Sequence, residues 1–249
     1  MTAELAGRTA FVTGASAGIG EATARLLARE GADVALLARR EERLRDLAGE
    51  IGDEQGVEAL VLPTDVTDDG QVDDAVEEAA ESLGGLDVVV ANAGINRLGD
   101  VEELSTEKYR QVMAVNCDGT FFVTRAVIPH LRESAGSLIY VGSFAGKYPR
   151  PGQAVYAGSK WWLQGFAQSL AGDVGLDDVA VTVVNPTEVI TEIGIQDGRP
   201  AHERFDPENS AQPEDVAEAV VFAAKQEPPN VVAEVGYYRR DKFDEFRRD

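Results

Sequence analysis

The chain has 249 residues, and its 44% hydrophobic content is enough for one large core. No apolar run approaches the roughly 18 residues of a membrane-spanning helix, so no membrane partner is expected. Its 44 acidic residues outnumber 23 basic ones, for a formal net charge of -21; such a surface repels a phosphate backbone, which sets nucleic acid aside as a partner.

Short apolar runs alternate with amphipathic stretches. Strands are predicted at residues 9–13, 34–38, 58–62 and 86–91, with helices at 19–30, 41–51 and 68–82 between them. A long helix at 107–131 follows, then a strand at 137–141, a helix at 153–171 and a strand at 180–184. A last helix at 214–225 leads into a final strand at 231–235. The strands are rich in Val, Ile and Leu and show little alternation, as expected where helices cover both faces of a parallel sheet. Their alternation with helices of this length gives right-handed βαβ crossovers and an α/β fold. No repeat or linker interrupts the pattern, so residues 1–249 are expected to form a single domain. The one long irregular stretch, 188–212, is expected to be a substrate flap.

After the first strand comes Thr13-Gly14-Ala15-Ser16-Ala17-Gly18-Ile19-Gly20, one residue away from the dinucleotide spacing G-x-G-x-x-G. Gly14 and Gly18 permit a tight turn that can approach a pyrophosphate, with Ser16 and Ile19 inside it. Gly20 lets the following helix pack on the sheet with its first N–H groups facing the phosphates. Many tight turns contain three glycines. The position between first strand and first helix is what makes this one a phosphate-binding candidate.

At the end of the second strand, a carboxylate would hold the ribose hydroxyls of NAD. Here the residue is Ala38, followed by Arg39 and Arg40. Without the carboxylate a 2′-phosphate is not repelled, and a guanidinium can bind it through paired charged hydrogen bonds, so NADP(H) is the expected cofactor. Arg39 stands first for this role and Arg40 second. The alternative is that both start an exposed helix, paired with Glu41 and Glu42. Asp65 and Val66, just past the third strand, could place a carboxylate near the adenine amino group.

Tyr156 and Lys160 stand four apart in a helical segment and rise from one face. A phenol is a poor base at neutral pH, and a nearby ammonium is expected to lower its pKa. Tyr156 can then give a proton to a carbonyl oxygen as hydride reaches its carbon, or remove the alcohol proton in reverse. Ser143, just past the fifth strand, could hold the same oxygen, and Asn116 could hold a water that relays protons through Lys160. Each residue alone has an ordinary structural explanation; their joint placement beyond the ends of neighbouring strands is what points to chemistry.

These residues resemble the short-chain dehydrogenase/reductase (SDR) family over essentially the whole length, residues 5–240. The match includes Thr13-Gly14-x-x-x-Gly18-x-Gly20, the turn Asn92-Ala93-Gly94, and the catalytic set Asn116, Ser143, Tyr156 and Lys160. The resemblance implies a doubly wound Rossmann fold with a seven-stranded parallel sheet. It implies an ordered reaction with NAD(P)(H) on a small carbonyl or alcohol substrate, with Lys160 also bonding the nicotinamide ribose. Arg39 falls at the position that marks NADP preference in the family, and the family's Asp-Val pair matches Asp65-Val66. Pro186, Val189 and Thr191 match the segment that holds the carboxamide. Relatives assemble through the helices here at 107–131 and 153–171, which implies a homotetramer or a dimer.

Three departures stand out. Ala91 replaces the first asparagine of Asn-Asn-Ala-Gly; Thr187 replaces the glycine after Pro186, putting the backbone geometry there in doubt; Trp161 and Trp162 follow the catalytic lysine. One tryptophan is expected to pack inward and the other to face a subunit partner. On the substrate side, Ile190, Ile193, Ile195 and Phe205 are possible apolar contacts beside Glu192, Asp197, Arg199, His202 and Arg204, with residues 147–151 as an opposite wall. None of these selects a substrate. The single cysteine, Cys117, reads as a small buried hydrophobe, and two histidines far apart in sequence give no metal site. The N-terminus lacks an export-signal pattern, so a cytoplasmic location is expected. Carboxylates spread along the chain with only five lysines resemble proteins of extreme halophiles; an ordinary acidic cytoplasmic enzyme is the alternative. The functional rivals are an NAD-dependent alcohol or sugar dehydrogenase and a catalytically idle, dinucleotide-sensing regulator.

Overall fold

A computed structural model describes residues 4–193 and 210–246. Seven parallel strands form one sheet: β1 (Thr9–Thr13), β2 (Asp33–Ala38), β3 (Ala59–Pro63), β4 (Val88–Ala91), β5 (Ser137–Val141), β6 (Ala180–Pro186) and β7 (Glu234–Tyr237). Their order is β3-β2-β1-β4-β5-β6-β7. The chain winds outward one way from β1 to β3, then crosses back and winds the other way from β4, so the direction switches between β1 and β4. This is the doubly wound Rossmann arrangement, and the crevice at such a switch is where α/β sheets bind ligands.

Successive strand residues point to opposite faces, and both faces are apolar. Val12, Leu36 and Val90 pack with Leu27 of α1 (Gly18–Arg29), Leu44 of α2 (Glu41–Gln55) and Val220 of α7 (Pro213–Ala224). Phe11, Leu37 and Val89 face Val76 of α3 (Asp69–Leu83), Val127 of α5 (Thr120–Ser134) and Leu163 of α6 (Ala154–Val174). Burial on both sides explains why the strands lack polar alternation. Side chains start several helices: Asp68 accepts from the Gln71 N–H at 3.1 Å ahead of α3, and Ser105 accepts from the Lys108 N–H at 3.2 Å ahead of α4 (Thr106–Met113).

Three expectations change. The long helix at 107–131 is α4 and α5 joined by a π-helical turn, Ala114–Gly119. The final strand begins three residues later than expected, at Glu234–Tyr237 and not 231–235, because the register pairs Val183 with Glu234 and Pro186 with Tyr237. Neither tryptophan enters the core: Trp161 is 53% exposed and Trp162 is 36% exposed, stacked on Phe166 with centroids 4.7 Å apart. Of the predicted flap, Glu188 to Ile193 and Ser210 to Gln212 are described, and Val189 bridges Ala211. Ile195, Asp197, Arg199, His202, Arg204 and Phe205 lie outside the described residues.

Candidate active site

A cavity of about 520 Å³ opens above the carboxyl ends of the central strands. Its floor is the turn between β1 and α1. Gly14 has φ +69°, and a Cβ there would sit 2.8 Å from Asn92 Nδ2. Gly20 lies beneath the turn and not on the cavity wall; a Cβ on it would come within 2.3 Å of the Gly14 carbonyl oxygen. Any larger residue at either position would push the turn off the sheet. Ser16, Gly18 and Ile19 line the cavity. Across the switch point, Thr13 Oγ1 accepts from the N–H groups of Asn92 and Ala93, both at 3.0 Å, and Asn92 Nδ2 donates to the Thr13 carbonyl at 2.9 Å. The turns after β1 and β4 are therefore pinned together, and Asn92, Ala93 and Gly94 line the wall. These bonds need Asn92 and Thr13, so Ala91 at the end of β4 leaves the turn intact.

At one end stand Ala38, Arg39, Arg40, Asp65 and Val66. Arg39 extends into solvent, its side chain 71% exposed and 3.8 Å from the Asp65 carboxylate. Arg40 lies across the glycine turn, donating from Nε to Ser16 Oγ at 3.0 Å, and reaches Glu192 at 2.6 Å. Glu192 also accepts from Arg43 at 2.7 Å. The sequence ranked Arg39 ahead of Arg40, but Arg40 is the guanidinium held against the turn.

At the other end, Tyr156 and Lys160 share one face of α6, with Lys160 Nζ 6.0 Å from the Tyr156 ring centre. Lys160 is 8% exposed and donates to the Val141 carbonyl at 2.7 Å; burial lowers its pKa to about 8. Burial also pushes the Tyr156 phenol above its ordinary value, against the opposing pull of the Ser143 hydroxyl and the Arg150 charge. The expected lowering of the phenol by Lys160 is therefore not met: the ammonium is turned towards a backbone carbonyl, and loss of hydration dominates.

Asn116 does not line the cavity. It lies in the π turn, where the widened backbone carries its side chain under the loop after β4. Its Oδ1 accepts from the Ile95 N–H at 2.8 Å, while Nδ2 donates to the Ile95 carbonyl and to Ser159 Oγ, both at 3.0 Å. Both amide hydrogens of the carboxamide expected to hold a water are thus given to the protein, and its oxygen already accepts one protein N–H.

Pro186, Val189 and Thr191 line the wall beyond β6. Thr187 sits there without needing glycine: among the described residues only Ala135 and Asp178 are non-glycines with positive φ, and the Thr187 N–H donates to the Tyr237 carbonyl at 3.1 Å. Sequence reasoning missed the ion cluster beside this wall. Glu188 accepts from Arg150 at 2.9 Å and from Lys242 at 2.6 Å, and Lys242 is fully buried near the ring of Phe144. A lysine in a charged C-terminal stretch carries no sequence signal of burial. Asn185, Gln164 and Ser159 were missed likewise, because each is recognisable only by its partners. Among the described residues no three His, Cys, Asp or Glu side chains could hold a metal ion, and no helix is long and apolar enough to cross a membrane.

A glycine turn at the switch point of a parallel sheet, facing a tyrosine and a buried lysine, defines a dinucleotide-binding oxidoreductase site. Residues 8–200 match the short chain dehydrogenase family, and the chain belongs to it; the family's activity is NAD(P)(H)-dependent oxidation and reduction, with the Ser-Tyr-Lys motif seen here. Glycine betaine reductase of Emericella nidulans is 34% identical over 243 residues; the alignment covers 96% of this chain but only 19% of that protein. An alcohol dehydrogenase of Thermococcus sibiricus, solved with 5-hydroxy-NADP, is 32% identical, with a TM-score of 0.85 over 92% of this chain and 95% of that one. A 3-ketoacyl-(acyl-carrier-protein) reductase of Brucella melitensis, solved with NADH, is 30% identical, with a TM-score of 0.83 over 93% and 97%.

Proposed function

We propose that this protein is an NADP(H)-dependent oxidoreductase that moves hydride between nicotinamide and a small carbonyl or alcohol. One observation carries the reading: Ser143, Tyr156 and Lys160 share one cavity with Arg39 and Arg40, where Ala38 supplies no carboxylate. The glycine turn fits a dinucleotide: Gly14 and Gly18, both at positive φ, present bare backbone to the cavity, and Gly20 allows the tight packing beneath it.

Bound NADPH supplies the hydride. The Tyr156 hydroxyl donates its proton to the substrate oxygen, and Ser143 holds that oxygen beside it. A phenol is protonated at neutral pH, so Tyr156 carries the proton that carbonyl reduction consumes. Lys160 provides the cationic hydrogen-bond donor for the nicotinamide ribose, Arg39 and Arg40 the cations for a 2′-phosphate, and Asp65 and Val66 the adenine contacts. Pro186, Val189 and Thr191 form the carboxamide wall. Asn116 fixes the loop after β4. The chain works as one domain, a cytoplasmic homotetramer or dimer, and its acidity is a halophilic adaptation.

The NAD-linked rival has one observation in its favour. Glu192 already engages Arg40, so a 2′-phosphate must compete with a carboxylate for that guanidinium. Dissociation constants decide. Arg39→Ala should weaken NADPH by about 10- to 150-fold, the worth of a charged hydrogen bond, and NADH much less. Ala38→Asp should move preference towards NADH. Equal losses for both cofactors would reject the NADP reading. Tyr156→Phe should lower turnover with a carbonyl panel by at least ~100-fold while cofactor still binds; turnover close to the parent's would remove Tyr156 from the chemistry.

A further inference from the structure

We infer that Asn185 is a positioning residue that sets the separation of Ser143 from Tyr156, an inference resting on the reading above that Ser143 holds the reacting oxygen. Asn185 is fully buried near the end of β6. The last backbone bond between the paired strands runs from the Gly142 N–H to the Val184 carbonyl, at 2.7 Å. Just beyond it, the Ser143 N–H donates to Asn185 Oδ1 at 3.0 Å, so a side chain supplies the acceptor where the ladder stops. A Cβ on Gly142 would lie 2.1 Å from that same oxygen, which shows how closely the carboxamide presses on this backbone.

The oxygen has a second donor. Gln164 Nε2, on the helix that carries Tyr156 and Lys160, reaches it at 2.7 Å, and Gln164 is only 6% exposed. One atom thereby ties the serine's backbone to the tyrosine's helix. The orientation of the carboxamide is fixed from its other side: Nδ2 donates to Glu234 of β7 at 3.1 Å, and Glu234 accepts from Lys147 at 2.8 Å. Lys147 follows the turn that Ser143 begins, so the chain of contacts closes on itself. A carboxamide of this size can accept from two donors and donate to a carboxylate at once without carrying a charge.

The test is a double-mutant cycle read in kcat, with cofactor Kd and melting temperature as controls. Asn185→Leu should lower kcat by at least ~10-fold through misplacement of the serine, with cofactor Kd unchanged. In a Ser143→Ala background the same change should lower kcat by less than ~3-fold, because the group it positions is already gone. Exchanging the pair, Asn185→Asp with Glu234→Gln, keeps the acceptor for Ser143 and reverses the donor across the contact; it should restore kcat to within a few-fold of the parent. Should Asn185→Leu not accumulate as folded protein, Asn185→Ala, which also removes the acceptor, takes its place in the cycle. Effects that multiply, or an exchanged pair as slow as the single variant, overturn the inference and leave the oxidoreductase reading standing. A Ser143→Ala protein as fast as the parent overturns both the inference and the serine's proposed role.

Discussion

Lys160 shows what burial does to a single residue. Its ammonium lies in the core edge with one backbone partner, and its pKa falls to about 8 from 10.5. Between those two values the unfolded chain holds a proton that the folded chain has released. Stability from this residue therefore rises as pH climbs from about 8 to 10.5, and the full penalty of the buried charge is present below 8. Its upper bound is ~3 kcal/mol. Urea melts of the parent and Lys160→Met without cofactor should diverge in this window, with the parent gaining relative to the variant as pH rises. A constant difference from pH 7 to 10 would mean that the ammonium is better solvated than its surroundings suggest. Tyr156 responds to burial in the opposite direction, because for a phenol the charged form is the deprotonated one.

Among the elements, the π turn between α4 and α5 decides what Asn116 does. A regular α-helix through 107–131 would place residue 116 by a 3.6-residue period, whereas the wider turn swings it beneath the loop after β4. There it bonds both backbone groups of Ile95 and the Ser159 hydroxyl. Ser159 in turn donates to the Tyr156 carbonyl at 2.7 Å, so the turn also braces the start of the tyrosine's helix. Asn116→Ala leaves the Ile95 groups without these partners and should destabilise the fold by ~1–3 kcal/mol. Because Asn92-Ala93-Gly94 begin that loop, it should also weaken cofactor binding, measurable by titration. A variant as stable as the parent and equal in cofactor affinity would show that the loop holds itself.

The whole molecule is governed by its charge of -21. Exposed aromatic groups gather on the helices expected to assemble: Tyr109 on α4, Phe121 on α5, and Trp161 and Trp162 on α6. Bringing copies of so acidic a chain together sets repulsion against burial of these rings. The Debye length shrinks from ~10 Å at 0.1 M salt to ~3 Å at 1 M, so both folding and association should strengthen over that range. Light scattering is expected to show a homo-oligomer at 1 M salt that weakens at 0.1 M, with a parallel rise in melting temperature as salt increases. A monomer at every salt, or an assembly and melting temperature indifferent to it, would count against both the oligomer and the halophilic reading.

The parallel sheet, the glycine turn, and the Tyr156–Lys160 pair were legible in the residues because each depends on short-range spacing: apolar runs, three glycines, and two side chains one helical turn apart. Arg39 and Arg40 were legible as a pair, but which one lies on the turn depends on Ser16 and Glu192, and Glu192 comes from beyond β6. Tertiary structure alone decided the rest. It turned Lys160 from Tyr156 to the Val141 carbonyl, buried Lys242 against Glu188, and gave one Asn185 oxygen to both Ser143 and Gln164. Periodicity records which way a side chain faces along its own element. Hydrogen-bond partners and lost hydration come from chain segments tens of residues away, and those contacts set where a proton rests.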